Sequence, residues 1–130
     1  MLQRMAGDGI TPIGNPIQLL DRSDLDGPLI EAPSISRTPD GHYVIFFSSN
    51  CFNTQYYDIS YAIADSITGP YTKYGPFAVT PDAGLWAPGG MHVSMIDQTS
   101  AVFHSGQFGS RFMYTAELTY DMVNDVVSAS

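Results

Sequence analysis

The chain has one cysteine, one tryptophan and five basic residues, and none of its apolar runs reaches the length of a bilayer-spanning helix. Each scarcity removes something. With Cys51 alone no internal disulfide can form, so cysteine usage gives no sign of an oxidising compartment, and a structural thiol is its default reading. Five Lys and Arg against thirteen Asp and Glu argue against a phosphate-binding surface, because nucleic-acid affinity depends on clustered cations that release counterions. The opening "MLQRMAGDGITP" holds no apolar segment of signal-peptide length, and nothing later suits a membrane span. Neither nucleic acid nor membrane is an expected partner, and the compartment is left unassigned. The net charge of −8 suits solubility and a neutral substrate, and is silent on fold.

What is present points to strands. The 130 residues are 44% hydrophobic, enough to build a core, with 12 glycines and 9 prolines scattered between short apolar stretches. Many short strands joined by turns, an all-β fold, is the expectation. Four segments carry β-branched and aromatic enrichment between turn signals: "HYVIFFSS" (42–49), "DISYAIAD" (58–65), "TSAVFHSG" (99–106) and "RFMYTAEL" (111–118). "SIS" (34–36) and "HVSMI" (92–96) are weaker. "TPDG" (38–41) presets a turn through Pro39 and a permissive Gly41, so 34–49 reads as a hairpin, and "SITGPY" (66–71) marks another strand exit.

The pattern occurs twice. "EAPSISRTPDGHYVIFFSS" (31–49) lies over "WAPGGMHVSMIDQTSAVFHSG" (86–106), with Ala32-Pro33 on Ala87-Pro88 and Phe46 on Phe103. "ISYAIADS" (59–66) then lies over "RFMYTAEL" (111–118) at a similar offset. A recurring sheet unit of roughly 50 residues is the mark of a propeller or another repeat array. A sandwich or barrel accounts for the strands but not for the matched Ala-Pro entries. Closing a ring takes about four blades, so two units form part of one. Residues 11–20, "TPIGNPIQLL", read as the outer strand of a preceding blade.

Several of these segments together resemble a known family. "EAPSI" followed by "GHYVIFFSSN", then "YDISYAIADSITGPYTKYG", Ala87-Pro88-Gly89-Gly90-Met91-His92, and a late Arg111, Met113, Tyr114 and "LTYD" are similar to the C-terminal half of the five-bladed β-propeller enzymes of glycoside hydrolase family 43. That family holds β-xylosidases, α-L-arabinofuranosidases and arabinanases, and the match runs over about residues 13–122. The resemblance implies that residues 1–130 are the C-terminal part of one catalytic domain. It further implies inverting hydrolysis of arabinofuranosyl or xylosyl bonds in plant cell-wall polysaccharide, a carbohydrate partner and an extracellular setting. It leaves open a calcium ion at the propeller centre, and no metal ligands are assigned.

In the family the Glu of the Glu-Gly/Ala-Pro motif is the general acid, which here is Glu31. Such a group must stay protonated near neutral pH to donate to the leaving oxygen, and partial burial favours that state. Outside the motif, a glutamate before proline is ordinarily a solvated loop residue. The resemblance places the base and a modulating aspartate in more N-terminal blades; Asp8, Asp21, Asp24 and Asp26 match neither motif. An inverting pair stands about 6.5–9.5 Å apart, leaving room for water. "DRSDLDG" (21–27) reads as an acidic surface loop whose spacing does not match an EF-hand.

Three substrate contacts complete the expected site. His92 resembles a family histidine at the propeller centre, and Arg111 a late arginine that hydrogen-bonds the sugar through its fork of donors, with a surface arginine as the rival reading. Trp86 holds the repeat position of Glu31, where its ring serves either sugar stacking or core packing. His104 is read as a satisfied core histidine, and Tyr56, Tyr57, Tyr61, Tyr71 and Tyr74 as blade packing. The rival functions are a non-catalytic carbohydrate-binding or degenerate half-propeller, and self-association through open blade edges.

Overall fold

A computed structural model describes residues 1–107 and 109–130. Its architecture turns on strand β2 (Tyr43–Ser49), in which Val44 to Ser49 are all buried. A strand buried on both faces reads as a continuous apolar run rather than an alternating one, which is why "VIFF" has no polar side. Strand β2 lies between β1 (Ile30–Arg37) and β3 (Asp58–Ala64), with β4 (Thr72–Ala78) outermost, all antiparallel. The second sheet repeats the order with β5 (Gly89–Val93), β6 (Ser100–Gln107), β7 (Ser110–Asp121) and β8 (Val126–Ala129). Two four-stranded antiparallel sheets of this kind are two blades of a partial β-propeller, as predicted.

The blades meet face to face. Val44, Phe46, Ile59, Tyr61 and Ile63 of the first pack against Met91, Val93, Ala101, Phe103, Leu118 and Val127 of the second. Hydrogen bonds stitch the same seam: Gly90 N–H donates to Ser48 Oγ (2.8 Å), and Val93 N–H to Ser34 Oγ (3.0 Å). Serine is small enough to let β5 approach and polar enough to satisfy an edge amide that would otherwise be buried unpaired. At the far end the Tyr120 hydroxyl sits between Ser36 Oγ (2.9 Å) and the Gln98 carbonyl (2.7 Å).

The internal repeat is visible in the backbone. Ala32 (φ 51) and Ala87 (φ 46) both take the left-handed region, Ala32 within the register shift between Glu31 and Ser34 and Ala87 just before the one between Gly89 and His92. That conformation costs a non-glycine residue about 1–2 kcal/mol. A bulge of this kind re-aims the neighbouring side chain. The later strands correspond one residue out from the sequence overlay: Phe46 pairs with Tyr61 and Phe103 with Tyr114, so Tyr61 answers to Tyr114 rather than Met113. In a strand a one-residue slip exchanges the two faces, so register settles what composition leaves open.

Residues 11–20 run antiparallel to the first residues, through bridges of Leu2 to Ile17 and Met5 to Pro12 rather than one continuous strand, since Pro12 and Pro16 lack the N–H that an unbroken ladder requires. At the end of the segment Leu19 and Leu20 pack on the first blade, against the Ile45, Phe47 and Ala62 cluster. One further expectation is corrected: residues 21–27 are not wholly a surface loop. They hold a single 3-10 turn (Asp24–Asp26) with Asp26 buried, bonded to the Ser23 amide (2.6 Å), the Ser23 hydroxyl (2.8 Å) and Lys73 Nζ. The Asn50 amide reaches the Asp26 carbonyl (2.8 Å), fastening the turn to β2.

Burial alone would raise the Asp26 pKa, but the bonds from Lys73 and Ser23 outweigh it and hold the carboxyl below the usual 3.8. A depressed carboxyl stabilises the fold fully above its unfolded value and loses that contribution as pH falls through the folded one. Asp58, raised chiefly by burial, acts in the opposite sense. Asp26→Asn is therefore expected to lower the urea midpoint at pH 7 and to flatten its decline below about pH 4 relative to wild type; parallel curves for the two proteins would mean the Lys73 contact contributes nothing. Phe46→Ala, emptying the seam, should cost about 3–5 kcal/mol by the same urea assay.

Candidate functional site

Glu31 opens β1 opposite Ser48, directly before the Ala32 bulge. Tyr57, the residue before β3, is 3% exposed, and its hydroxyl donates to Glu31 Oε1 at 2.8 Å. A buried phenol needs a polar partner, and here that partner is the carboxyl. The ring is held on several sides. The His104 ring stacks on it with centroids 6.2 Å apart and planes 21° from parallel, and the Arg111 Cζ lies 5.8 Å from its centroid.

Arg111, at the start of β7, ties the cluster to the backbone. Its Nε donates to His104 Nδ1 (2.7 Å), one terminal nitrogen to the Gly106 carbonyl (2.7 Å), and the other to the carbonyls of Ala87 and His104. A ring nitrogen that accepts from a guanidinium cannot itself be protonated, so His104 is neutral with its proton on Nε2. The pKa values agree in direction. Burial, then the Arg111 charge, hold His104 below the usual 6.5, against a smaller upward pull from Glu31. Burial first, then the bond to Glu31 and its charge, push Tyr57 up to about 12, against the Ser48 hydroxyl and Arg111.

Two glycines make room for these rings. A Cβ on Gly89 would fall inside the Tyr57 ring, and one on Gly90 would lie 2.5 Å from His104 Nε2. Gly90 also sits at φ +62, so a side chain there is strained as well as crowded. The "GG" at the entry of β5 is thus the seat of the aromatic pair.

The residues named from sequence fall as follows. Glu31 and His92 are exposed and line one groove of about 760 Å³, whose floor is Ile35, Ile45 and Phe47. The burial expected around Glu31 is not supplied by these two blades; what they supply is orientation through Tyr57. Arg111 makes four hydrogen bonds to its own chain, so most of its fork is engaged within the protein. Trp86 is 39% exposed, and its backbone amide and carbonyl both meet Ser105 Oγ (3.0 and 2.8 Å), mirroring Glu31 opposite Ser48. His104 is satisfied, as read, but by Arg111 and at the site rather than in the core. Tyr57 does more than the blade packing expected of it; the sequence signal is the side-chain-free Gly89-Gly90, which leaves space for rings. Among the described residues no group of three or more His, Cys, Asp or Glu is placed to hold a metal ion.

No family model and no curated protein matches the chain. Solved structures do match its fold. It is similar to a thermostable family-43 glycoside hydrolase, with TM-score 0.80 and 24% identity over 98% of this chain and 45% of that one. An exo-1,5-α-L-arabinanase from a bovine ruminal metagenomic library gives TM-score 0.79 and 18% identity, over 98% of this chain and 48% of that one. An endo-1,4-β-xylanase from Bacteroides thetaiotaomicron gives 0.76 and 22%, again over 98% and 48%. The chain spans about half the length of these structures, and at such identities the likeness establishes the fold.

Gly90→Ala should push His104 off its seat. The expected result is a His104 titration midpoint, followed by imidazole NMR, that rises toward the ordinary 6.5 as burial is relieved. An unmoved midpoint in a folded variant would show that the glycine is not what seats the ring.

Proposed function

We propose that this chain is the C-terminal part of a glycoside hydrolase-type catalytic domain that cleaves arabinofuranosyl or xylosyl O-glycosidic bonds of plant cell-wall polysaccharide, with Glu31 as general acid. The observation that carries the reading is the placement of Glu31, at a strained bulge, oriented by a buried tyrosine and open to a groove, in a fold shared with glycoside hydrolases. In the inverting reaction the Glu31 proton passes to the glycosidic oxygen as its bond to the anomeric carbon breaks. Water attacks the opposite face and gives its proton to a base carboxylate. That base lies outside the residues assigned here. Asp8, Asp21 and Asp24 match neither motif, and Asp26 is buried against Lys73.

His92 and Trp86 serve as sugar contacts, one beside the acid and one at the equivalent blade entry. Arg111 acts mainly by holding His104 and the β5 entry, with one of its five N–H groups left for a hydroxyl. The lack of an assigned base also favours a second reading, a carbohydrate-binding or degenerate half-propeller without hydrolysis that self-associates through its open blade edges.

The deciding experiment assays the full chain with arabino- and xylo-oligosaccharides, following binding by calorimetry and product by NMR. Slow hydrolysis is expected, with an inverted anomeric product and a loss of about a hundredfold or more in Glu31→Gln while binding stays within about threefold. Equal binding by both proteins with no product from either would establish the binding module instead. Turnover indifferent to Glu31→Gln would remove Glu31 from the acid role.

A further inference from the structure

Tyr57 is the candidate that the geometry singles out, because nearly every feature of its surroundings constrains its hydroxyl. The ring is 3% exposed, rests on the Gly89 backbone, and is stacked by His104. His104 is fixed in turn by Arg111 Nε, and Arg111 by three backbone carbonyls from the β5 entry and from β6. The chain of contacts therefore runs from the second blade's backbone to a single oxygen on the first blade's carboxyl. Blade packing alone would be served by phenylalanine, which fills the same space without a hydroxyl. A phenol there, aimed at an otherwise exposed carboxylate, adds direction to packing.

We propose that Tyr57 is the positioning residue for Glu31, and that His104 and Arg111 form a clamp that fixes the Tyr57 hydroxyl against the carboxyl. This rests on the reading of Glu31 as the acid, and names the device that sets its direction. A glutamate has three rotatable bonds, and at an exposed bulge its carboxyl would otherwise sample many orientations. One hydrogen bond from a rigid donor selects among them. The raised pKa of Tyr57 accords with this, since a phenol that donates to a carboxylate and is buried holds its proton across the whole working range. The titratable and charged groups that face it are Glu31 from β1, His104 from β6 and Arg111 from β7. The tyrosine stays neutral throughout, so its effect is directional rather than a switch.

The test uses the full chain at pH 7 and needs no turnover. With carboxyl-labelled glutamate, the Glu31 13Cδ resonance is compared in wild type, Tyr57→Phe and the control Tyr56→Phe. Tyr56 is 67% exposed and has no bond to Glu31. The resonance is expected to move in Tyr57→Phe and to stay in Tyr56→Phe. In Glu31→Ala, exchange of the Tyr57 hydroxyl proton should accelerate about tenfold or more, as its acceptor is removed. A Glu31 resonance indifferent to Tyr57→Phe, or equally sensitive to both substitutions, overturns the proposal. If Tyr57→Phe does not fold, the exchange rate in Glu31→Ala decides alone, and an unchanged rate sinks it. The outcomes separate from those of the hydrolysis assay. A coupled pair in a chain whose turnover ignores Glu31→Gln leaves the clamp standing and removes the acid role, while an uncoupled pair in an active chain does the reverse.

Discussion

The close approach of β5 to the first blade is the constraint on which the other features rest. A strand that buries its edge must find partners for its amides, and the partners here are the hydroxyls of Ser34 and Ser48. Larger side chains at those positions would hold the blades apart, and apolar ones would leave the amides unpaired. With the serines in place, Phe46 and Phe103 enter one continuous core and the inner strands lie side by side. The groups that face one another at the blade entries, Glu31 and Tyr57 on one side and His104 and Arg111 on the other, meet only because that seam is tight.

The site is therefore a property of the junction. Neither blade contains it: Glu31 and Tyr57 come from the first, and Gly89, His104 and Arg111 from the second. Its electrostatics follow from the same arrangement. Burial and a neighbouring guanidinium keep the imidazole neutral, while the carboxyl faces outward into the groove. The stacked Tyr57 and His104 rings, held by the Arg111 cation, stand as a rigid support behind the exposed Glu31 carboxyl.

Much of the architecture was legible in the residues. The strands over 42–49, 58–65, 99–106 and 111–118 and the TPDG turn stand out because β-branched and aromatic runs between turn residues have few alternative conformations. The Ala-Pro repeat also proved structural, down to the shared backbone twist at Ala32 and Ala87. Strands β4 and β8 were missed because "TKYGPFA" and "VVSA" carry Gly and Pro or are very short, and their pairing is set by the neighbouring strand. At the site, Glu31 could be named from its motif, whereas the Tyr57 contact depends on which face the residue before β3 presents. Single-residue register fixes that, and no spacing in the sequence displays it.

The manner in which Arg111 is held bears on how this position can drift over time. Its planar fork reaches an imidazole and three carbonyls at once, a task a lysine ammonium cannot perform despite its equal charge. Among descendants of this chain, positions 104 and 111 would thus change together or not at all, with lysine absent from the second. An imidazole without its arginine would gain a second protonation state, and an arginine without its imidazole would carry an idle donor. Two strands of one blade are in this way coupled as a hereditary unit, although the carboxyl they serve belongs to the other blade.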